Sequence, residues 1–416
     1  MTRDVTLTRG LGRSYGDSSL PPPGVFAVAG ARLADRLISF DPRTGLLCAE
    51  AGLSLTELNR LFLPRGFFSP VTPGTAHVTL GGMVASDVHG KNHHRDGCFG
   101  GHVTRLRMAL ADGRVVWCSR AKDELPDLFA ATIGGMGLTG HILEVEFRMQ
   151  RLPSPWIWEE SERVANIDEY IARLKAAGPE WPFTVGWIDC LTQGPGLGRG
   201  ILYKGRWATA QEAPPEAPKP RPRLSLPFEL PEFVLGPLTV RLFNFAMFHK
   251  HGAKGRRGIR HPEDYFYPLD KIGHWNRAYG RRGLAQYQAV LPDSAGRDVA
   301  RRFLELLARH GGASFLCVIK DCGPEGEGLL SFPRPGISVA LDIALRDRTQ
   351  ALIDALNEFV IGVGGRIYLT KDLLTRPDHF RAMEPRLARF EEVRRKYDPE
   401  RRLRSAQSVR LLGDPK

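Results

Sequence analysis

Short runs that alternate apolar and polar residues, punctuated by glycine, fill the first 150 positions, and each such run predicts a strand with one buried face. They are VTLTRGLGRSYGD (5–17), GVFAVAG (24–30), GLLCAEAGLSL (45–55), RLRMALADGRVVWCS (105–119) and HILEVEFRM (141–149). Helical spacing interrupts them twice, at TELNRLFLPRG, which Gly66 should stop, and at KDELPDLFAATI before a glycine loop. After a break at LPSPW (152–156), the same patterns predict strands at WPFTVGWIDCL, GRGILYKGRWA, AQYQAVLP, ASFLCVIKDCG and GISVALDIAL. Helices are predicted at ANIDEYIARLKAAG, GRDVARRFLELLARHG and RTQALIDALNEFVIGVGG. The fold class expected is α+β in two domains, residues 1–150 and 151–390, with a tail over 391–416 that returns to the first domain.

Two segments inside the second domain fit neither period. APPEAPKPRPRLSLPFELPEF is too rich in proline for helix or sheet, and HKHGAKGRRGIRH is a basic run, so mobile loops are expected near 213–231 and 249–261. The composition is that of a globular enzyme, 42% hydrophobic and 25% charged. No apolar run reaches the roughly 18 residues of a membrane span, and the N-terminus lacks the apolar stretch of a signal peptide, so a cytoplasmic location is expected. Six scattered cysteines without CxxC pairs point to reduced thiols. A net charge of +12 suits a nucleic acid, an anionic membrane or a phosphorylated substrate, but no nucleic-acid motif accompanies it.

The segment 72–103, TPGTAHVTLGGMVASDVHGKNHHRDGCFGGHV, joins glycines that let main-chain N–H groups approach an anion to a cluster of histidines and a lysine. His89, His93, His94 and His102 lack HxH or HExxH spacing, so no metal is expected there. Gly135, Gly137 and Gly140 satisfy GxGxxG, but the loop follows a predicted helix and opens a strand, the reverse of the order in which a Rossmann turn meets a pyrophosphate.

Three glycine segments in this order, RGLGRSYGDSS (9–19), the 72–103 motif and DLFAATIGGMGLTG (127–140), resemble the FAD-binding domain of the vanillyl-alcohol oxidase / p-cresol methylhydroxylase (PCMH) superfamily. DVHGKNHH, FGGHV, YPLDKIGHWNRAYG (267–280), QYQ (286–288), LSFPRPG (330–336), GGRIYLTKD (364–372) and RRKYDP (394–399) resemble one branch of it, the decaprenylphosphoryl-β-D-ribose oxidase family. The likeness runs from about Thr8 to the C-terminus.

The resemblance implies a two-domain PCMH-type fold, with FAD held by backbone amides. Arg9, Gly10, Gly12, Arg13, Ser14, Tyr15, Gly16 and Asp17 would line one side of the cofactor, and Gly74, Thr79, Gly81 and Gly82 the other. Ser86, His89 and Tyr368 are expected around the flavin and Ile142 near the adenine. Relatives with covalent flavin carry histidine where this chain has Arg13, which implies non-covalent FAD. Lys371, His89 and Tyr15 are the catalytic candidates. Lys91, Gln286, Gln288, Lys320, Ser338 and Lys371 are expected against the substrate, with the base unresolved among them. Ser338 and Ala340 replace the asparagine and cysteine of the mycobacterial pattern, which leaves the substrate contacts at 338 less certain.

The activity so implied is oxidation of a secondary hydroxyl of a polyprenylphosphoryl pentose by hydride transfer to flavin N5. An aldonolactone or alditol oxidase of the same superfamily is the alternative, and a flavin-free binding module a third reading. A lipid-linked substrate implies peripheral contact with the inner membrane, and a short-chain dehydrogenase partner to reduce the keto-sugar. Family members precede GRSYGD with a strand–helix–strand unit of about 30 residues. The N-terminal strand–helix unit is therefore expected to be missing here, and flavin binding to be weak unless the chain is extended upstream.

Overall fold

A computed structural model describes residues 5–25, 27–219, 224–252, 254–312 and 314–416. Two antiparallel sheets organise them. The first has five strands, β1 (Leu37–Asp41), β2 (Leu46–Glu50), β3 (Val103–Ala109), β4 (Val115–Ser119) and β5 (His141–Arg148), in the order β1-β2-β5-β3-β4. The second has eight, β6 (Ile157–Val164), β7 (Phe183–Ile188), β8 (Gly200–Trp207), β9 (Arg256–Arg260), β10 (Leu284–Pro292), β11 (Cys317–Cys322), β12 (Gly336–Ala344) and β13 (Arg366–Ile367), in the order β9-β6-β8-β7-β11-β12-β10-β13.

Helices close the sheets where the sequence supplies both a cap and an apolar stripe. α1 (Leu55–Phe62) starts at Ser54, whose hydroxyl accepts from the Glu57 amide at 3.1 Å, buries Leu55, Leu58 and Phe62, and gives way to a turn ended by Gly66 at φ 76°. α2 (Leu80–Ala85) is capped by Thr79, and α3 (Pro126–Thr132) begins with proline at its first position. α4 (Ile167–Ala177), α5 (Pro237–Lys250), α6 (Val299–Arg309), α7 (Thr349–Gly362), α8 (Leu387–Tyr397) and α9 (Ala406–Leu412) follow. The chain is thus α+β, as expected.

Strand alternation divides the eight-stranded sheet into two chemically different faces. Tyr287, Ala289 and Leu291 of β10, Ile337, Val339, Leu341 and Ile343 of β12, and Cys317 and Ile319 of β11 point to one side and pack against α4, α6 and α7. The intervening residues face the other way, towards the first domain. Phe183, Trp207 and Phe266 join its core directly, and so do Phe390, Val393 and Leu411 from the C-terminal helices. Tyr397 and Lys396 of α8 both bind the Asp127 carboxylate at 2.8 and 2.7 Å, holding α8 against α3.

The predicted loop at 249–261 is corrected. Its start ends α5, and Arg256–Arg260 form β9, an edge strand paired with β6. The helix PLTVRLFNFAMFHK escaped the periodicity reading because apolar residues surround most of its circumference. Within 213–231, Leu224–Ser225 pair in parallel with Ile272–Gly273, so this stretch too carries a fragment of sheet.

Candidate active site

The polar face of the second sheet forms the floor of the site. Gln286 and Gln288 on β10 lie opposite Asp342 and Ala340 on β12, and Ser338 lies opposite Lys320 on β11, so one register places five polar side chains on one surface. Gln286 donates to the Asp342 carboxylate, and the Tyr279 hydroxyl donates to its other oxygen at 3.0 Å. Gln288 spans two partners, the Ser338 hydroxyl at 3.0 Å and Nε2 of His89 at 2.9 Å.

Three segments of the first domain and one of the second close over this floor. Gly10 abuts Thr79 so tightly that an added Cβ would lie 2.4 Å from Oγ1, which brings the 9–17 and 74–82 loops together. At Gly16 a Cβ would sit 1.6 Å from the Asp372 carbonyl, and the Tyr15 amide donates to Thr370 at 3.0 Å. Asp17 accepts two bonds from Arg410 of α9, at 2.7 and 2.9 Å, and Arg410 also reaches Asp372 at 2.8 Å. The Tyr368 hydroxyl donates to the Ser86 carbonyl at 2.9 Å.

Most sequence candidates therefore converge, with some changes of role. Asp17 is an anchor for its loop. The Gly81 amide is engaged by Ala51 at 2.8 Å and that of Gly82 by the Thr79 hydroxyl at 3.2 Å, so these glycines serve close packing. Gly74 meets nothing within 4 Å of its Cβ direction, Arg13 is exposed, and Ile142 lies buried on β5 beside Met108 of β3.

The electrostatics are dominated by ammonium groups short of counter-charge. Burial pushes the Lys371 ammonium down to about 7, Asp342 opposing and Lys320 adding to the shift. Lys91, whose ammonium donates to the Phe266 carbonyl at 3.1 Å, falls to about 7 through burial and Lys320. Lys320 is lowered by burial as well. No carboxylate lies in ion-pair range of these three lysines among the described residues. His89 is buried and held neutral, chiefly by desolvation and then by Lys320. With its Nε2 accepting from Gln288, the proton resides on Nδ1, which has no hydrogen-bond partner among the described residues. Burial pushes the Asp342 carboxyl up to about 6.

His93 accepts from the Gly323 amide at 3.0 Å, His94 contacts the Trp181 carbonyl and His102 the Asp96 carbonyl, so the histidines disperse into separate contacts. Asp342 and Tyr279 are the members of the site that sequence reasoning missed. The available signal was Asp342 itself, a single carboxylate inside VALDIAL, four residues after Ser338 and so on the same face of the strand.

The residues present suit a flavin dinucleotide: glycine-tight loops meet at one end, and a neutral histidine with a spare donor and several unpaired cations lie at the other. Residues 3–119 match a family model described as an FAD binding domain. The chain is 35% identical over 402 residues to decaprenylphosphoryl-β-D-ribose oxidase of Mycolicibacterium smegmatis, covering 95% of this chain and 86% of that protein. It is 34% identical over 366 residues to an uncharacterized protein in the mprA 5' region of Streptomyces coelicolor, covering 83% and 96%. A shorter match, 36% over 119 residues, covers 27% of this chain and 22% of the mitochondrial D-2-hydroxyglutarate dehydrogenase of Rattus norvegicus. The chain is an FAD-dependent oxidoreductase and belongs to the decaprenylphosphoryl-β-D-ribose oxidase family.

Proposed function

We propose that this enzyme oxidises a secondary hydroxyl of a polyprenylphosphoryl pentose to the keto-sugar, with FAD held non-covalently. Bound FAD supplies the hydride acceptor, its N5 atom. The protein's part is to hold the cofactor, orient the sugar and take the hydroxyl proton. With the amides of Tyr15, Gly81 and Gly82 engaged elsewhere, the donors assigned to the pyrophosphate are those of Gly12, Arg13, Ser14 and Gly74. Arg9, Gly10, Gly16 and Thr79 shape that cradle, Ile142 borders the adenine, and Ser86 and Tyr368 support the flavin ring. His89 offers its Nδ1 proton to the ring.

Gln286, Gln288 and Ser338 position the sugar, and Lys371, poised near neutrality, accepts the proton of the reacting hydroxyl across the face of Tyr15. The observation that carries the substrate class is the pair Lys91 and Lys320, two partly buried ammonium groups with no acidic partner in range among the described residues. A phosphate on the substrate satisfies both, whereas the neutral ring of an aldonolactone would leave them uncompensated. A lipid-linked substrate puts the enzyme peripherally at the inner membrane, and its keto-sugar product requires a reductase of the short-chain dehydrogenase type as partner.

Turnover with an artificial electron acceptor tests this reading. Polyprenylphosphoryl ribose should exceed both ribose and an aldonolactone in kcat/KM by at least tenfold. Equal or better turnover of the lactone would overturn it.

A further inference from the structure

Four of the exposed large hydrophobic side chains among the described residues, Leu238, Leu242, Phe243 and Phe245, sit on α5. Leu238, Leu242 and Phe245, spaced i, i+4 and i+7 on one stripe of the helix, are 71%, 62% and 54% exposed. Leu224 and Phe228, at 79% and 63%, are likewise exposed on the segment that precedes α5 in the chain. The opposite side of α5 is fixed: Val240 is buried, and the Asn244 amide donates to the buried Asp189 carboxylate at 2.9 Å. Exposed large side chains on a firmly anchored helix mark a surface that meets an apolar partner.

Charge selects the partner. From Pro237 to His261 the chain has no aspartate or glutamate and carries Arg241, Lys250, Lys254, Arg256, Arg257 and Arg260. Arg256 donates to the Lys250 carbonyl, which ties the basic edge strand to the end of α5. Arg260 is paired with Glu159 at 3.0 Å, but the other basic residues of this acid-free stretch leave an excess of positive charge beside the apolar stripe, which is complementary to an anionic lipid surface. No helix among the described residues is long and apolar enough to span a membrane, so such contact would be in the plane of the interface.

Position links the patch to the chemistry. Phe243 of α5 packs on Phe315 with ring centroids 5.5 Å apart, Phe315 stacks on Tyr279 at 5.6 Å, and Tyr279 donates to Asp342. Leu224 and Ser225 pair with Ile272 and Gly273, and the Arg277 guanidinium binds the carbonyls of Leu226 and Pro227, stapling the apolar segment onto the turn that carries Tyr279. We infer that the α5 stripe, with Leu224 and Phe228, seats the enzyme on an anionic phospholipid bilayer and places the site mouth where a lipid-linked sugar phosphate can enter without leaving the membrane. This rests on the proposed lipid-linked substrate for its purpose but not for the binding itself.

The test compares the FAD-loaded wild type with the triple variant Leu238→Glu, Leu242→Glu and Phe245→Glu, each checked for flavin content and thermal melting. Sedimentation with vesicles of phosphatidylglycerol and phosphatidylcholine should pull down the wild type, with the bound fraction falling at least tenfold in the variant and on vesicles of phosphatidylcholine alone. Turnover of a short-chain prenylphosphoryl ribose in detergent should be unchanged in the variant, while turnover of the long-chain substrate in vesicles falls at least tenfold. Absence of vesicle binding by the wild type, or binding that the triple variant retains, overturns the proposal. So does a wild-type dimer in lipid-free solution that the variant dissociates, because the stripe would then be a contact between copies. If the triple variant misfolds, Leu224→Glu with Phe228→Glu, outside α5, must reproduce the loss of vesicle binding, and retained binding counts against the idea. Failure of any phosphoryl pentose to be turned over in detergent, with vesicle binding intact, contradicts the substrate reading alone.

Discussion

The ammonium of Lys371 lies 3.9 Å from the centroid of the Tyr15 ring, a contact that unites the first glycine loop with the end of the second sheet. A ring face stabilises the charged ammonium by about 0.5–2 kcal/mol, yet the group titrates near 7, so desolvation outweighs the ring and the Asp342 charge together. A lysine so placed is substantially neutral at physiological pH, the condition for a general base.

The pH profile follows from that balance. Because the neutral amine is the active form, kcat/KM should rise as pH increases through about 7 and level off above it. Lys371→Met should lower kcat by roughly 10²–10⁴-fold, the usual scale of a general base, and remove the ascending limb. Rates of flavin reduction from pH 5.5 to 9, roughly the span over which such groups titrate, check this.

Asp342 shifts the same limb. Its negative charge raises the Lys371 value, so Asp342→Asn should move the limb to lower pH while leaving flavin content unchanged. Asp342→Ala should be more damaging, because it also strands the Tyr279 hydroxyl and the Gln286 amide in a buried site. A limb that stays in place in Asp342→Asn would contradict the electrostatic link.

Flavin retention should depend on the anchor behind the first loop. Gly16→Ala forces a Cβ into the Asp372 carbonyl, and Arg410→Ala removes the two bonds that hold Asp17. Both variants should bind FAD at least tenfold more weakly, measured by recovery of flavin fluorescence on dilution.

A buried ion pair in the C-terminal segment, outside the candidate site residues, separates stability from chemistry. Arg394 and Asp414 are almost fully buried and joined at 2.5 and 3.0 Å. Arg394→Met should cost about 3–5 kcal/mol of unfolding free energy by leaving Asp414 with fewer partners, with KM unchanged in the folded fraction. Denaturant titration of the holoenzyme reads the loss.

The sequence disclosed the central strands of both sheets because their period-2 alternation survives single-chain reading, as in QYQAVLP and ISVALDIAL, but not Leu37–Asp41, Ile157–Val164, Arg256–Arg260 or Arg366–Ile367. The motifs that carry the family resemblance supplied candidates such as His89 and Lys371, which the fold brings to the candidate site. The sequence could not disclose that Gln288 bridges Ser338 and His89, since that contact joins positions 199 residues apart through β-register and domain packing. Asp342 was visible only as the single carboxylate of an apolar strand, and its role stayed hidden until its neighbours Gln286 and Tyr279 were known. The helix α5 was hidden because apolar residues surround most of its circumference and leave no distinct stripe, and only packing shows which of them lie exposed.

At this site a hydride should pass from a phosphorylated pentose to the bound flavin. Anaerobic rapid mixing of the FAD-loaded enzyme with polyprenylphosphoryl ribose, followed by flavin absorbance, tests it most directly. Complete bleaching is expected in a single phase whose rate saturates with substrate and falls in Lys371→Met. A flavin that stays oxidised with this substrate, yet bleaches with an aldonolactone or alditol, would contradict it.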